Sequence, residues 1–251
     1  MYNQFASVYD KLMQDVDYTA WAAYYAALLG ENGKPGRRAL DCACGTGNMT
    51  LALRGLGLTM TASDRSVEML AAAYEKARKL GVGIPWINQD LRSINTHRPM
   101  DAVVCCCDGV NHLMTDAQVL KFLEGALGAL RPGGTLAFDI SSSYKLSEIL
   151  GNNTFGEDRD DLCYIWINTF DQERRICQMD MTFFTKRADG AYDCFRETII
   201  QKAHEAADIC RLMDRAGFVG VHAYGGQTTD APTAASERIH FVGRKSEYIY
   251  S

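Results

Sequence analysis

Nowhere does the sequence hold the run of about 18 apolar residues that a membrane-spanning helix needs. The first residues, MYNQFASVYDKLMQDVDY, also lack a basic cluster followed by an apolar stretch, which predicts a soluble, unexported, cytoplasmic chain with no membrane partner. A basic excess is absent too: 26 Lys and Arg stand against 31 Asp and Glu, a formal net charge of -5. Lys and Arg occur singly or in pairs such as Arg37-Arg38 and Arg174-Arg175, so the concentrated positive surface of a nucleic-acid binder is missing. The acidic balance suits a neutral or cationic small substrate. No Pro/Ser-rich linker divides the 251 residues, which favours one large domain with an insertion. The nine cysteines are odd in number and several lie in apolar runs, as expected of reduced thiols. Cys105, Cys106 and Cys107 are adjacent and would alternate across a strand, which is poor zinc geometry, so no metal is expected.

What is present is an alternation of short apolar runs and longer helical patterns. Residues 18–29 repeat apolar and aromatic side chains at helical spacing until Gly30, Gly33, Pro35 and Gly36 interrupt them. Strands are predicted at 39–44, 58–62, 84–88, 102–107 and 134–140, with helices at 48–54, 66–80 and 116–130 between them. Val67, Leu70, Ala73, Tyr74, Ala77 and Leu80 form the inner face of the helix at 66–80, and Thr115 caps the one at 116–130. This order predicts an α/β chain with a mostly parallel sheet, helices on both faces, and ligands at the carboxyl ends of the strands. After residue 140 the pattern changes. Three aromatic and β-branched segments, 164–170, 176–186 and 192–202, read as an antiparallel meander. A helix at 205–216 and strands at 218–224 and 238–244 complete the sheet. The expected organisation is an N-terminal arm and core at 1–140, an antiparallel lid at 141–204, and the end of the core at 205–251.

The run Leu40-Asp41-Cys42-Ala43-Cys44-Gly45-Thr46-Gly47 turns the first strand into a helix. Small residues let backbone approach a ligand there, and the helix start favours negative charge. Thr50 stands where a nicotinamide fingerprint needs its third glycine, which counts against a nicotinamide-dependent reductase. The run instead resembles the first motif of class I S-adenosylmethionine-dependent methyltransferases, D/E-x-G-x-G-x-G, with Ala43 in place of the first glycine. That resemblance implies a Rossmann-like fold with a seven-stranded sheet, S-adenosylmethionine as cofactor and S-adenosylhomocysteine as product. It implies that Asp41 faces the methionine end, that Ala43, Gly45 and Gly47 line the cofactor, and that Asp64, about twenty residues on, accepts the ribose hydroxyls. Asp90 and Leu91 would meet the adenine edge, Arg65 and Met69 its faces, and Cys107 and Asp108 the end of the fourth strand. Arg131-Pro132-Gly133-Gly134 matches the family's turn into strand five. These motifs cover roughly residues 39–140 and the last two strands.

Within the family, Asn111-His112-Leu113 resembles small-molecule N-methyltransferases acting on glycine or amino sugars. This implies that His112 touches the transfer centre, as a base or by positioning the acceptor; the alternative is a bond to a loop carbonyl. Asn111 and Asp108 are acceptor or cofactor contacts, or else an Asx turn. Residues 5–10 resemble an arm that folds over the cofactor, which implies that Tyr9 and Trp21 shield the sulfonium or the methionine portion, plain helix packing being the alternative for Trp21. Ser143 and Tyr144 are further candidates for acceptor contacts, and Trp166 either lines the pocket or packs in the lid core; the acceptor is a nitrogen or oxygen of a small molecule. A monomer or homodimer is expected, and a non-catalytic cofactor-binding module is the remaining alternative.

Overall fold

The computed structural model describes residues 2–247. Helices α1 (Tyr2–Leu12) and α2 (Tyr18–Leu29) precede the first strand, β1 (Arg38–Cys42). There follow α3 (Asn48–Gly55), β2 (Thr59–Asp64), α4 (Val67–Lys79), β3 (Trp86–Asn88), β4 (Met100–Cys105), α5 (Asp116–Ala129) and β5 (Leu130–Ser141). The inserted strands are β6 (Thr154–Asp158), β7 (Leu162–Asp171), β8 (Ile176–Lys186) and β9 (Tyr192–Lys202). The chain returns through α6 (Ala206–Ala216), β10 (Phe218–Gly225) and β11 (Arg238–Lys245). Local chemistry sets several boundaries. The Ser66 hydroxyl accepts from the Met69 N–H at the start of α4, Thr115 does the same for Gln118 before α5, and Gly217 ends α6 in a left-handed conformation.

The main sheet has seven strands in the order β10-β11-β5-β4-β1-β2-β3. Pairs among β1 to β5 are parallel, whereas β11 runs antiparallel to β5 and β10 antiparallel to β11. Alternate residues serve opposite faces. Leu40, Val103 and Phe138 pack with Phe122, Leu123 and Met213 on the α5 and α6 side. Ala39, Ala102, Val104 and Ala137 pack with Tyr25, Leu29 and Leu53 on the α2 and α3 side. Phe138 stacks on Phe241 at 5.1 Å and meets the edge of Phe122 at 5.6 Å. Each such ring contributes roughly 1.5–3 kcal/mol by leaving water. Chain order reverses between β1 and β4, so their carboxyl ends open a crevice at the middle of the sheet.

The second sheet is antiparallel and four-stranded, β6-β7-β8-β9, one strand more than the aromatic pattern predicts. β6 carries Gly156, Glu157 and Asp158 and has little strand signal of its own; it pairs because Phe155 packs on Trp166 at 5.6 Å and Glu157 accepts from the Tyr164 hydroxyl at 3.0 Å. Helix α1 joins the two sheets. Phe5, Ala6 and Val8 are buried with Met69 of α4 and with Leu162, Met181 and Phe183 of the second sheet. Its Asp10 accepts from Thr46 at 2.6 Å and pairs with Lys76 at 2.6 Å. The expected inner face of α4 is corrected accordingly: Val67, Tyr74 and Leu80 are exposed, and Met69, which the arm covers, is buried with Leu70, Ala73 and Ala77. Among the described residues, no helix is long and apolar enough to cross a membrane.

Candidate active site

The turn from β1 into α3 takes left-handed backbone at Ala43 (φ 54°), Gly45 (φ 53°) and Gly47 (φ 79°). A side chain at Gly45 would meet nothing closer than Tyr9 Cε1 at 4.0 Å, so the turn presents open backbone to the crevice. Gly47 is different. A Cβ there would come within 2.8 Å of the Trp86 ring and 3.0 Å of Ala73, so its smallness serves packing beneath the turn. Ala43 holds with a Cβ the conformation for which the family motif has glycine, at a cost of about 1–2 kcal/mol.

Asp41 is buried behind this turn and accepts from the Thr50 hydroxyl. Burial pushes its pKa up to about 7, against the pull of the Thr50 bond. Thr50, noted in the sequence only as a missing glycine, therefore holds the motif's carboxylate. Asp64 ends β2 and accepts from the N–H of Gly45 at 2.9 Å and of Ser66 at 2.8 Å, one bond per oxygen. A carboxylate oxygen has two lone pairs, so each keeps one for a further donor.

A cavity of about 510 Å³ spreads from the turn. Its walls include Tyr9, Ala43, Gly45, Asp64, Arg65, Met69, Asp90, Leu91, Cys107 and His112, ten of the residues singled out from sequence. A hollow of about 40 Å³ adjoins it between Tyr9, Tyr18, Asp41, Asn48 and Cys107. Arg92 holds both oxygens of Asp90 at 2.7 Å, and its hydrogen bonds lower that carboxyl to about 2 despite some burial. Open glycine backbone, a carboxylate with spare lone pairs in the cavity wall and a second carboxylate in the adjoining hollow fit a nucleoside carrying an amino-acid tail. His112 is open to the cavity solvent; burial of its surroundings lowers its pKa, opposed by Asp108 and Asp64, which favours the neutral ring at pH 7.

Several other expected contact residues are engaged within the protein. Cys107 and Asp108 are both left-handed, at φ 60° and 58°, and their N–H groups donate to Asp139 of β5 at 2.8 and 3.1 Å. The Asp108 carboxylate is taken up by Arg238 at 2.8 Å and Gln201 at 2.8 Å; burial opposes its ionisation, but the Arg238 charge wins and lowers it to about 2. It is a structural clamp outside the cavity wall. Arg238 pairs with Asp139 as well. Trp21 does meet a cation, but the protein's own: the Arg238 guanidinium lies 5.0 Å from its ring. Asn111 is fully buried, its Nδ2 donating to the Ser141 and Lys202 carbonyls and its Oδ1 accepting from the Ser141 N–H, so the amide is out of an acceptor's reach. The Ser143 hydroxyl binds Arg175 at 2.6 Å, and Tyr144 is exposed. Trp166 packs inside the second sheet's apolar layers. None of Trp21, Asp108, Asn111, Ser143, Tyr144 or Trp166 lines the cavity. The sequence reading missed the Asp108-Arg238-Asp139 clamp and the β9 wall of Glu197, Thr198, Ile199 and Ile200. Only the β-rich alternation of residues 192–202 pointed toward that wall.

Comparison with known proteins agrees with this geometry. The methyltransferase domain family profile matches residues 39–134. The YqeM protein of Bacillus subtilis (strain 168), assigned by name to the methyltransferases, is 36% identical over 253 residues and covers 100% of both chains. The crystal structure of an S-adenosylmethionine-dependent methyltransferase from Clostridium acetobutylicum ATCC 824 superposes with a TM-score of 0.86 at 32% identity, covering 98% of this chain and 99% of that one. A glycine/sarcosine N-methyltransferase from Halorhodospira halochloris is 35% identical over 109 residues, 41% of this chain and 39% of that protein. With a β1 turn, sheet order and full-length likeness of this kind, the chain belongs to the class I S-adenosylmethionine-dependent methyltransferases.

Proposed function

We propose that this enzyme methylates a nitrogen or oxygen of a small molecule bound between the glycine turn and strand β9. The observation that carries the reading is one cavity that joins Gly45 and Asp64 to His112 and to the β9 wall. Asp64 accepts the ribose hydroxyls with its two remaining lone pairs, and the open backbone at Gly45 admits the cofactor's approach. Asp41 faces the ammonium end across the small hollow, while Leu91 and Met69 bound the adenine. When bound, S-adenosylmethionine supplies a methyl group made electrophilic by its sulfonium.

The protein's task is to bring an acceptor lone pair in line with that methyl in a space cleared of water, and positioning of this kind supplies roughly 7–11 kcal/mol in favourable cases. His112 orients the acceptor or takes the proton that it sheds. The likeness over 109 residues to a glycine/sarcosine N-methyltransferase supports nitrogen. Incubating the enzyme with S-adenosylmethionine and panels of metabolite amines and hydroxyl compounds, with detection of S-adenosylhomocysteine, tests this. Product with at least one compound is expected. Cofactor binding with no product from any panel or from a whole metabolite extract would point to a non-catalytic module.

A further inference from the structure

Apart from Glu197, the carboxylates near the cavity each have at least one hydrogen-bond partner within the protein. Asp64 accepts two backbone N–H groups, Asp90 is held by Arg92, and Asp108 by Arg238 and Gln201. Glu197 has 9% of its surface exposed and lines the cavity, yet among the described residues no hydrogen bond or ion pair reaches its carboxylate.

Its surroundings make that costly. Strand alternation puts Glu197 on one face with Phe195 and Ile199, and the pairing of β9 with β8 sets Met181 beside it. These three belong to the apolar layer that also holds Phe5, Tyr9 and Met69, and the last three line the cavity too. The carboxyl therefore sits in an apolar wall at the edge of a void, and burial raises its pKa against the weaker pull of the chain's N-terminal amino group. A charge so placed is unfavourable until a partner of opposite charge arrives with hydrogen bonds to offer. No described side chain supplies one, and the chain's N-terminal amino group acts on the carboxylate through its charge without a hydrogen bond, so a hydrogen-bonding cation is left for a ligand to bring.

The cofactor is the weaker candidate for that partner. The features that fit it stand on the β1 turn and on the ends of β2 and β3, whereas Glu197 belongs to the inserted sheet. We propose that Glu197 anchors a cationic group of the methyl acceptor, which makes the acceptor an amine-bearing small molecule held between β9 and His112. This rests on the methyl-transfer reading given above.

Cyclohexylamine and cyclohexanol, alike in size and different in charge, are suitable probes. Each is titrated by protein-observed NMR into wild type, Glu197→Gln and Glu197→Asp saturated with S-adenosylhomocysteine. In wild type the amine should bind at least about tenfold more tightly than the alcohol. Glu197→Gln should remove that preference while keeping S-adenosylhomocysteine affinity within about twofold, and Glu197→Asp should keep part of it. The proposal is overturned if wild type shows no preference or binds neither probe, or if the preference survives in Glu197→Gln. It is also overturned if Glu197→Gln weakens S-adenosylmethionine but not S-adenosylhomocysteine, since the carboxylate would then face the sulfonium. Failure of wild type to bind S-adenosylhomocysteine at all removes the methyl-transfer reading itself, and the inference with it.

Discussion

The glycine turn and the β9 wall bound the same cavity and are built by opposite means. In the turn, left-handed backbone at Ala43 and Gly45 shapes the surface, and the carboxylates of Asp41 and Asp64 are already fixed by Thr50, Gly45 and Ser66. The β9 wall is ordinary extended strand, apolar, with a single carboxylate left without a partner among the described residues. A surface made by local backbone geometry suits a ligand that never changes. A wall made by packing suits a ligand that differs from one enzyme to the next.

Substitutions should separate the two regions. The largest effect is expected at Gly45→Val, which puts a branched side chain in left-handed backbone and in the cofactor's path; S-adenosylmethionine affinity should fall by about a hundredfold or more with the circular dichroism of a folded chain. Binding that persists in calorimetry would move the cofactor away from the turn. His112→Ala acts on the other side. Cofactor affinity should stay within a few-fold while turnover on an identified acceptor drops by roughly 10 to 10⁴-fold. A basic limb of the pH-rate profile that vanishes in the variant marks proton transfer, a parallel drop at every pH marks positioning, and wild-type turnover would assign His112 to the scaffold.

A smaller effect follows from Asp41, whose pKa of about 7 lies above the value near 4 of an unfolded aspartate. A carboxyl raised in this way favours the folded state at low pH, and that contribution is lost as pH rises through about 7. The cofactor's ammonium needs the ionised form, so affinity should rise from pH 6 to pH 8 with proton release on binding at pH 6. Both trends should disappear in Asp41→Asn, and a pH-independent wild-type affinity would contradict the placement. The smallest effect concerns Ala43→Gly. Relief of left-handed strain, partly offset by the freer unfolded chain, should stabilise by about 0.5–1 kcal/mol and raise the melting temperature by about 1–4 °C. A lower melting temperature would show that the Ala43 methyl contributes packing that outweighs its backbone strain.

The same contrast explains what the sequence disclosed. The places of Asp41, Gly45 and Asp64 at the crevice were legible because strand ends, tight turns and caps are local and recur at fixed spacing. Glu197 was not, because nothing in Arg196-Glu197-Thr198 distinguishes a solvent-facing glutamate from one buried by α1 and β8. Strand β6 was missed for a related reason: its glycine and two acids pair only through Phe155 against Trp166 and Glu157 against Tyr164. Trp21 and Asp108 were read as ligand contacts because their chemistry suits a cation. The cation is Arg238, 130 residues from Asp108 in the chain, and no local pattern announces such a pair. Asn111 lay in the right motif, yet its amide joins β5 to β9.

The central claim is that the β1 turn and Asp64 form a cradle for S-adenosylmethionine. Calorimetric titration of wild type and Asp64→Asn with S-adenosylmethionine and with NADH tests it most directly. The account predicts one S-adenosylmethionine site in wild type, a loss of about 1–3 kcal/mol in Asp64→Asn from the weakened charge-assisted hydrogen bonds, and no heat of binding with NADH. Equal affinity of the two proteins for S-adenosylmethionine, or saturable binding of NADH at the same site, would contradict it.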